Sequence, residues 1–242
     1  MQHFKNLFIV SLAFAYGLFV SCNQSGTTST EPATTVDSTA QTPPPAAANT
    51  IAMVISHHVT DYATWRPFFD KDEANRQAAQ MKVLGVFQDV ADPNYVSVSV
   101  SVTNVEAAKQ FAASEELKKV MAEAGVTDQP EVKFYELAFM DENAANSSDN
   151  RLFLICKVSD YNAFRQVFDE REQIRKDKGI STVVVARNVD DAAEVAIALT
   201  AADMEVLKKH MAGQDVKDAM QKAGVIGEAI IQYAKKAAGS PM

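Results

Sequence analysis

Val59-Thr60-Asp61-Tyr62-Ala63-Thr64-Trp65-Arg66-Pro67-Phe68-Phe69-Asp70 is echoed by Val158-Ser159-Asp160-Tyr161-Asn162-Ala163-Phe164-Arg165-Gln166-Val167-Phe168-Asp169, 99 residues downstream (158 against 59). The same offset aligns Glu73 with Glu172, Arg76 with Arg175, Lys109 with Lys208 and Met121 with Met220. It also aligns Ala124-Gly125-Val126 with Ala223-Gly224-Val225. A spacing that stays constant from the start of a unit to its end means no net insertion, so the folded region is a tandem duplication. The repeats are 51–139 and 151–238, joined by a polar linker, 140–150.

Each repeat carries the same order of elements. Ile51 to Val59 and Leu152 to Val158 are short apolar runs of strand type. Asp61 and Asp160 then stand where a helix N-cap belongs. Trp65, Phe68, Phe69 and Phe164, Val167, Phe168 fall at i, i+3, i+4, one face of the helix that follows. Pro67 lacks an N–H, which suggests that the first helix proper begins there. Val83 to Val90 and Thr182 to Val189 are second strands. In the third, Val96, Val98, Val100 and Val102 alternate with Ser97, Ser99 and Ser101, matched by Val195, Ile197 and Leu199 with Ala196, Ala198 and Thr200. Second helices run to the stop signals Gly125 and Gly224. Val132 to Leu137 and Ile230 to Ala234 close the repeats. The order is βαββαβ, the ferredoxin-like unit.

Two such units, with the Val-x-Asp-Tyr-x-x-Trp/Phe entry to the first helix, resemble the dimeric α/β-barrel superfamily over 51–238. The resemblance implies an α+β fold in which tandem ferredoxin-like units pack sheet against sheet as an intramolecular dimeric α/β barrel, and hence a monomer with a pseudo-dimeric barrel. That superfamily includes cofactor-free monooxygenases, haem-degrading and haem-using enzymes, isomerases and members without known activity, so fold leaves function open.

Composition removes several classes. The 242 residues carry 23 Lys+Arg against 31 Asp+Glu, a net charge of -8, which is the wrong sign for phosphate-backbone binding; no nucleic-acid partner is expected. Two cysteines supply neither a disulfide scaffold nor a four-ligand zinc site. The sequence lacks a Gly-rich phosphate loop, Cys-x-x-Cys, His-Glu-x-x-His and a nucleophile elbow. No motif identifies an axial haem histidine, so neither metal nor cofactor is expected.

The N-terminus has one cation, Lys5, followed by an apolar run from Leu7 to Val20, the pattern of a secretory signal. The run ends in Leu18-Phe19-Val20-Ser21-Cys22, which resembles the lipobox of bacterial lipoproteins. That resemblance implies a signal peptide, 1–21, cleaved before a lipidated Cys22, and residence in the cell envelope. Asn23, in place of an inner-membrane retention Asp, favours the outer membrane over the inner. Residues 22–50 are rich in Ser, Thr, Ala and Pro, and between Asn23 and Thr50 only Glu31 and Asp37 are charged; such a segment serves as a disordered tether. Its reach as a coil is about 30 Å.

Candidate chemistry comes from divergence between the repeats. Ser56-His57-His58 stands where the second repeat has Ile155-Cys156-Lys157, Trp65 becomes Phe164, and the serine column becomes Ala196, Ala198, Thr200. Adjacent strand residues face opposite ways, so His57 and His58 cannot easily hold one metal. The expectation is a ligand pocket in repeat one, larger and more polar than its counterpart, bordered by His57 or His58, by Tyr62 or Trp65, and by one or more of Ser97, Ser99 and Ser101. Asp70, Glu73, Arg76 and their counterparts read as surface ion pairs, and Cys156 as an inert buried thiol. The functional expectation is a membrane-anchored extracytoplasmic lipoprotein, a non-catalytic small-molecule-binding or interaction module with a small apolar ligand. The alternative is a cofactor-free monooxygenase- or isomerase-like enzyme on a small organic substrate, with His57 or His58 moving a proton.

Overall fold

The structure, a computed structural model, describes residues 50–241. The signal peptide, Cys22 and most of the tether lie outside the described residues.

Repeat one runs β1 (Ile51–His58), α1 (Tyr62–Lys71), α2 (Glu73–Ala78), β2 (Met81–Asp89), β3 (Tyr95–Val102), α3 (Val105–Ala112), α4 (Glu115–Glu123) and β4 (Glu131–Met140). A short helix, α5 (Glu142–Ser147), occupies what the sequence suggested was plain linker. Repeat two follows with β5 (Asn150–Val158), α6 (Tyr161–Glu170), α7 (Glu172–Asp177), β6 (Ile180–Asn188), β7 (Glu194–Ala201), α8 (Met204–Ala212), α9 (Gln214–Lys222) and β8 (Val225–Lys236).

Local chemistry sets these limits. Asp61 and Asp160 cap their helices by accepting from Thr64 N and Ala163 N, each at 2.7 Å. The helix therefore begins at Tyr62, and Pro67 lies inside it rather than at its start. Each long helical segment is divided in two. Arg76, expected on the surface, belongs to α2 after a break at Asp72; it is 7% exposed, stacks 3.9 Å over Phe69 and donates to the Phe69 carbonyl at 2.7 Å. Arg175 does the same on Phe168, at 3.8 and 2.8 Å. The pairs that do form on the first helices are Arg66 with Asp70 and Arg165 with Asp169. Gly125 adopts φ +83°, which glycine tolerates best, and its carbonyl accepts from Thr60 N at 2.8 Å.

The eight strands close into one antiparallel barrel in the order β1-β3-β2-β8-β5-β7-β6-β4. The repeats meet at two symmetry-related seams, β4 with β6 and β8 with β2. Bulges at Val83/Gly85 in β2 and Thr182/Val184 in β6, again 99 apart, bend matching strands. Each repeat has its own core between sheet and helices, Met53, Val86, Val98 and Trp65 in the first and Leu152, Val195, Ile197 and Leu207 in the second. A third buried group, Ala52, Tyr135, Leu137 and Ala186, lies inside the barrel. This is the α+β architecture of tandem ferredoxin-like units joined sheet to sheet.

Candidate functional site

The strand pairing divides the expected pocket residues between two compartments. Ser56 is the cross-strand partner of Ser97, and His57 is the partner of Val96. Directly paired residues share a face, so Ser97 and Ser99 point into the barrel with Ala52, Val54 and Ser56, whereas His57 points with Met53 and Ile55 toward the helices. The expected pocket joining a histidine, Tyr62 or Trp65 and a serine is therefore not assembled. Period-two alternation puts its halves on opposite sides of the sheet.

The helix-side compartment of repeat one is a cavity of about 60 Å³. His57 is 2% exposed, and neither ring nitrogen has a hydrogen-bond partner among the described residues. Its ring lies 5.6 Å from that of Trp65, which stacks on Phe69 at 5.0 Å. Burial is the main cause that lowers the imidazole pKa to about 4, with Asp128 acting against it, so the ring is neutral at pH 7. Asp72 and Arg76 also line this space. Tyr62 does not; its hydroxyl accepts from Arg66 Nη1 at 3.1 Å at the helix entry.

Repeat two has a matching cavity of about 60 Å³ whose histidine comes from the opposite wall. Position 57 corresponds to Cys156, and Phe111 on α3 corresponds to His210 on α8. His210 is 7% exposed, its Nδ1 is unpartnered, and burial, with help from Lys178, lowers it to about 4 as well. Burial pushes the Cys156 thiol up to about 11, consistent with an unreactive group.

His58 stands at the exposed end of β1. Its Nδ1 lies 2.7 Å from Asp128 Oδ2, its backbone N–H donates to Asp128 Oδ1 at 2.9 Å, and its ring packs on Tyr95 at 4.7 Å. Its Nε2 lies 3.6 Å from Asp92 Oδ2, and His58 lines none of the three cavities.

A larger space than either of these, about 140 Å³, lies inside the barrel, and both repeats build it. Its walls are mostly apolar, including Val54, Leu84, Phe87, Leu137, Phe153 and Ile155. Among its few polar groups are Ser56 and Ser97, whose hydroxyls lie 3.0 Å apart, together with Ser99, Arg151 and Gln232. Ser101, farther along β3, donates to the Lys82 carbonyl instead, at 3.4 Å. Repeat one supplies these serine hydroxyls, and the charge comes from repeat two. Arg151 precedes the apolar run of its strand, which hides it from a reading of hydrophobicity alone. The available signal was alternation: Arg151, Phe153 and Ile155 share one face, and the offset of 99 places Arg151 opposite Ala52. Among the described residues no three His, Cys, Asp or Glu side chains converge as a metal site.

The sequence matches no known protein-family profile and no curated protein. Among solved structures it is similar to an anthrone oxidase-like protein, with a TM-score of 0.54 at 13% identity over 78% of this chain and 92% of that one. It is also similar to a proposed monooxygenase from Lactobacillus acidophilus NCFM, with a TM-score of 0.50 at 13% identity over 78% of this chain and 94% of that one. A proposed chlorite dismutase gives 0.51 at 12% identity over 78% and 95%. At such identities the shared property is the fold, the dimeric α/β barrel.

Proposed function

We propose that the chain is a lipid-anchored protein of the cell envelope whose fused barrel acts, as a monomer, as a non-catalytic module that binds a small, largely apolar molecule between its two sheets. The observation that carries this reading is the apolar compartment of about 140 Å³ inside the barrel. Apolar cavities of about 150 Å³ hold benzene-sized molecules in proteins. The absence of an acid–base pair around that compartment among the described residues favours binding over turnover. Ser21-Cys22 after the apolar run supports the anchor, and Asn23 favours the outer membrane.

A second reading is favoured by one feature. His57, without partners beside Trp65, Asp72 and Arg76, could serve a small organic substrate in the helix-side cavity, in the manner suggested by the names of the oxidase-like and monooxygenase neighbours. An imidazole held near pKa 4 is a weak base at neutral pH, which leaves this reading second.

Native mass spectrometry of the full chain from its own host tests both parts of the proposal. The wild-type protein is expected to carry the mass of acyl chains and of one small molecule. Cys22→Ser is expected to lose the acyl mass and the membrane association but keep the small molecule. A variant that stays membrane-bound and processed would contradict the anchor, and a wild-type chain without a bound molecule would contradict the binding role.

A further inference from the structure

Arg151 is a cation sealed inside the protein, 1% exposed, at the wall of the barrel compartment. Its Nη1 donates to the carbonyls of Ser148 and Asn150 at 2.6 and 2.9 Å and to Thr200 Oγ1 at 2.9 Å; Nη2 donates to the Ala145 carbonyl. These bonds tie the end of α5 to β5 and β7, but every acceptor is neutral. No carboxylate lies within 4 Å of the guanidinium among the described residues, and Asp149, the one carboxylate that acts on it, is paired with Lys236 at 3.7 Å. A buried charge without a counter-charge is costly. Nη1 carries three of these four bonds and Nη2 one.

A second group points the same way. Gln232 lines the same compartment, and its Nε2 is buried without a partner. It pairs across the strands with Phe153, and Arg151 pairs with Ala234, so Arg151 and Gln232 are diagonal neighbours on one face of β5 and β8. Such neighbours are about 7–8 Å apart at their Cα atoms, within mutual reach of two long side chains. Next to them stand the rings of Phe153 and Phe87, in edge contact at 5.0 Å, with the Arg151 guanidinium 5.9 Å from the Phe87 ring.

We propose that the barrel compartment selects a small aromatic or aliphatic monocarboxylate, its carboxylate held by Arg151 with Gln232 and its apolar body lying against Phe87 and Phe153. A carboxylate supplies the missing counter-charge and matches the side-on fork of a guanidinium. Nothing is transferred or oxidised; the site binds. This deepens the binding role proposed above and rests on it.

The test compares benzoate with benzamide, a neutral molecule of the same shape, by calorimetric titration of the full chain in non-ionic detergent at pH 7. Benzoate is expected to bind at least tenfold more tightly than benzamide. Arg151→Met, which keeps the length and apolar stem, should remove that preference, so that the two molecules bind alike. Should Arg151→Met fail to fold, the wild-type comparison decides alone, and Gln232→Leu, which leaves the Arg151 bonds intact, should weaken benzoate several-fold. Equal binding of the two molecules would overturn the carboxylate inference, assign Arg151 a purely structural role and leave the binding role standing. Binding of neither would overturn both.

Discussion

Lowering the pH from 7 to 4 is expected to remove several kcal/mol of stability from the barrel, before the loss of carboxylate interactions adds to it. His57 and His210 are buried and neutral, each lowered from 6.5 to about 4. Below pH 6.5 the unfolded chain takes up a proton at each position, and the folded chain does not until about pH 4. Stability is therefore full above 6.5 and falls as the pH drops through that window, by on the order of 3 kcal/mol per histidine at its lower end. Asp128 acts on His57 with the opposite sign and His58 adds repulsion, while Asp72 and Arg76 line the same cavity; around His210, Asp215 opposes Lys178, Arg175 and Arg171. Denaturant titrations at pH 7 and pH 5 measure the effect. The double variant His57→Leu, His210→Phe should hold its stability nearly constant between those two values, and at pH 7 it should lose little, because His57 makes no hydrogen bond that leucine would break. An equal loss in wild type and variant would mean that these histidines are hydrated in solution.

Repeat one expressed alone, residues 51–139, is expected to give no folded monomer. In the whole chain its inner sheet face, with Val54, Leu84, Tyr135 and Leu137, meets Phe153, Val184 and Ala186 of the second repeat. Its outer strands β4 and β2 pair with β6 and β8. The Tyr135 hydroxyl donates to Glu194 at 2.8 Å, and Lys133 pairs with the same carboxylate at 3.2 Å. Removing repeat two exposes the apolar face and leaves two strand edges open, the condition that drives association. Sedimentation should show dimers or larger species for the fragment and a monomer for the full chain in detergent. A well-dispersed monomeric fragment with cooperative unfolding would contradict the packing.

Much of the fold was legible because the sequence states it twice. The offset of 99 aligned strands, caps and stop glycines, and the caps at Asp61 and Asp160 and the turn at Gly125 follow from chemistry within a few residues. The site was less legible because it depends on register. Alternation along β3 separates serines from valines, but only the pairing of Ser56 with Ser97 decides that the serines face the barrel and His57 the helices. A slip of one residue would have put them together. Arg76 and Arg175 depart from expectation for a related reason: their spacing predicts an exposed helical stripe, whereas the break at Asp72 or Arg171 turns each guanidinium onto a phenyl ring. Arg151 becomes visible only when the alternation of Phe153 and Ile155 is carried one step back, past the start of the apolar run.

The central claim, that the space inside the barrel is a binding compartment, is tested most directly by diffraction from a crystal of the protein held under xenon. A xenon atom is expected between the sheets, in contact with Phe87, Phe153 and Ala196. Xenon found only beside Trp65 in the helix-side cavity, with the barrel interior filled by side chains, would contradict it and return the site to His57.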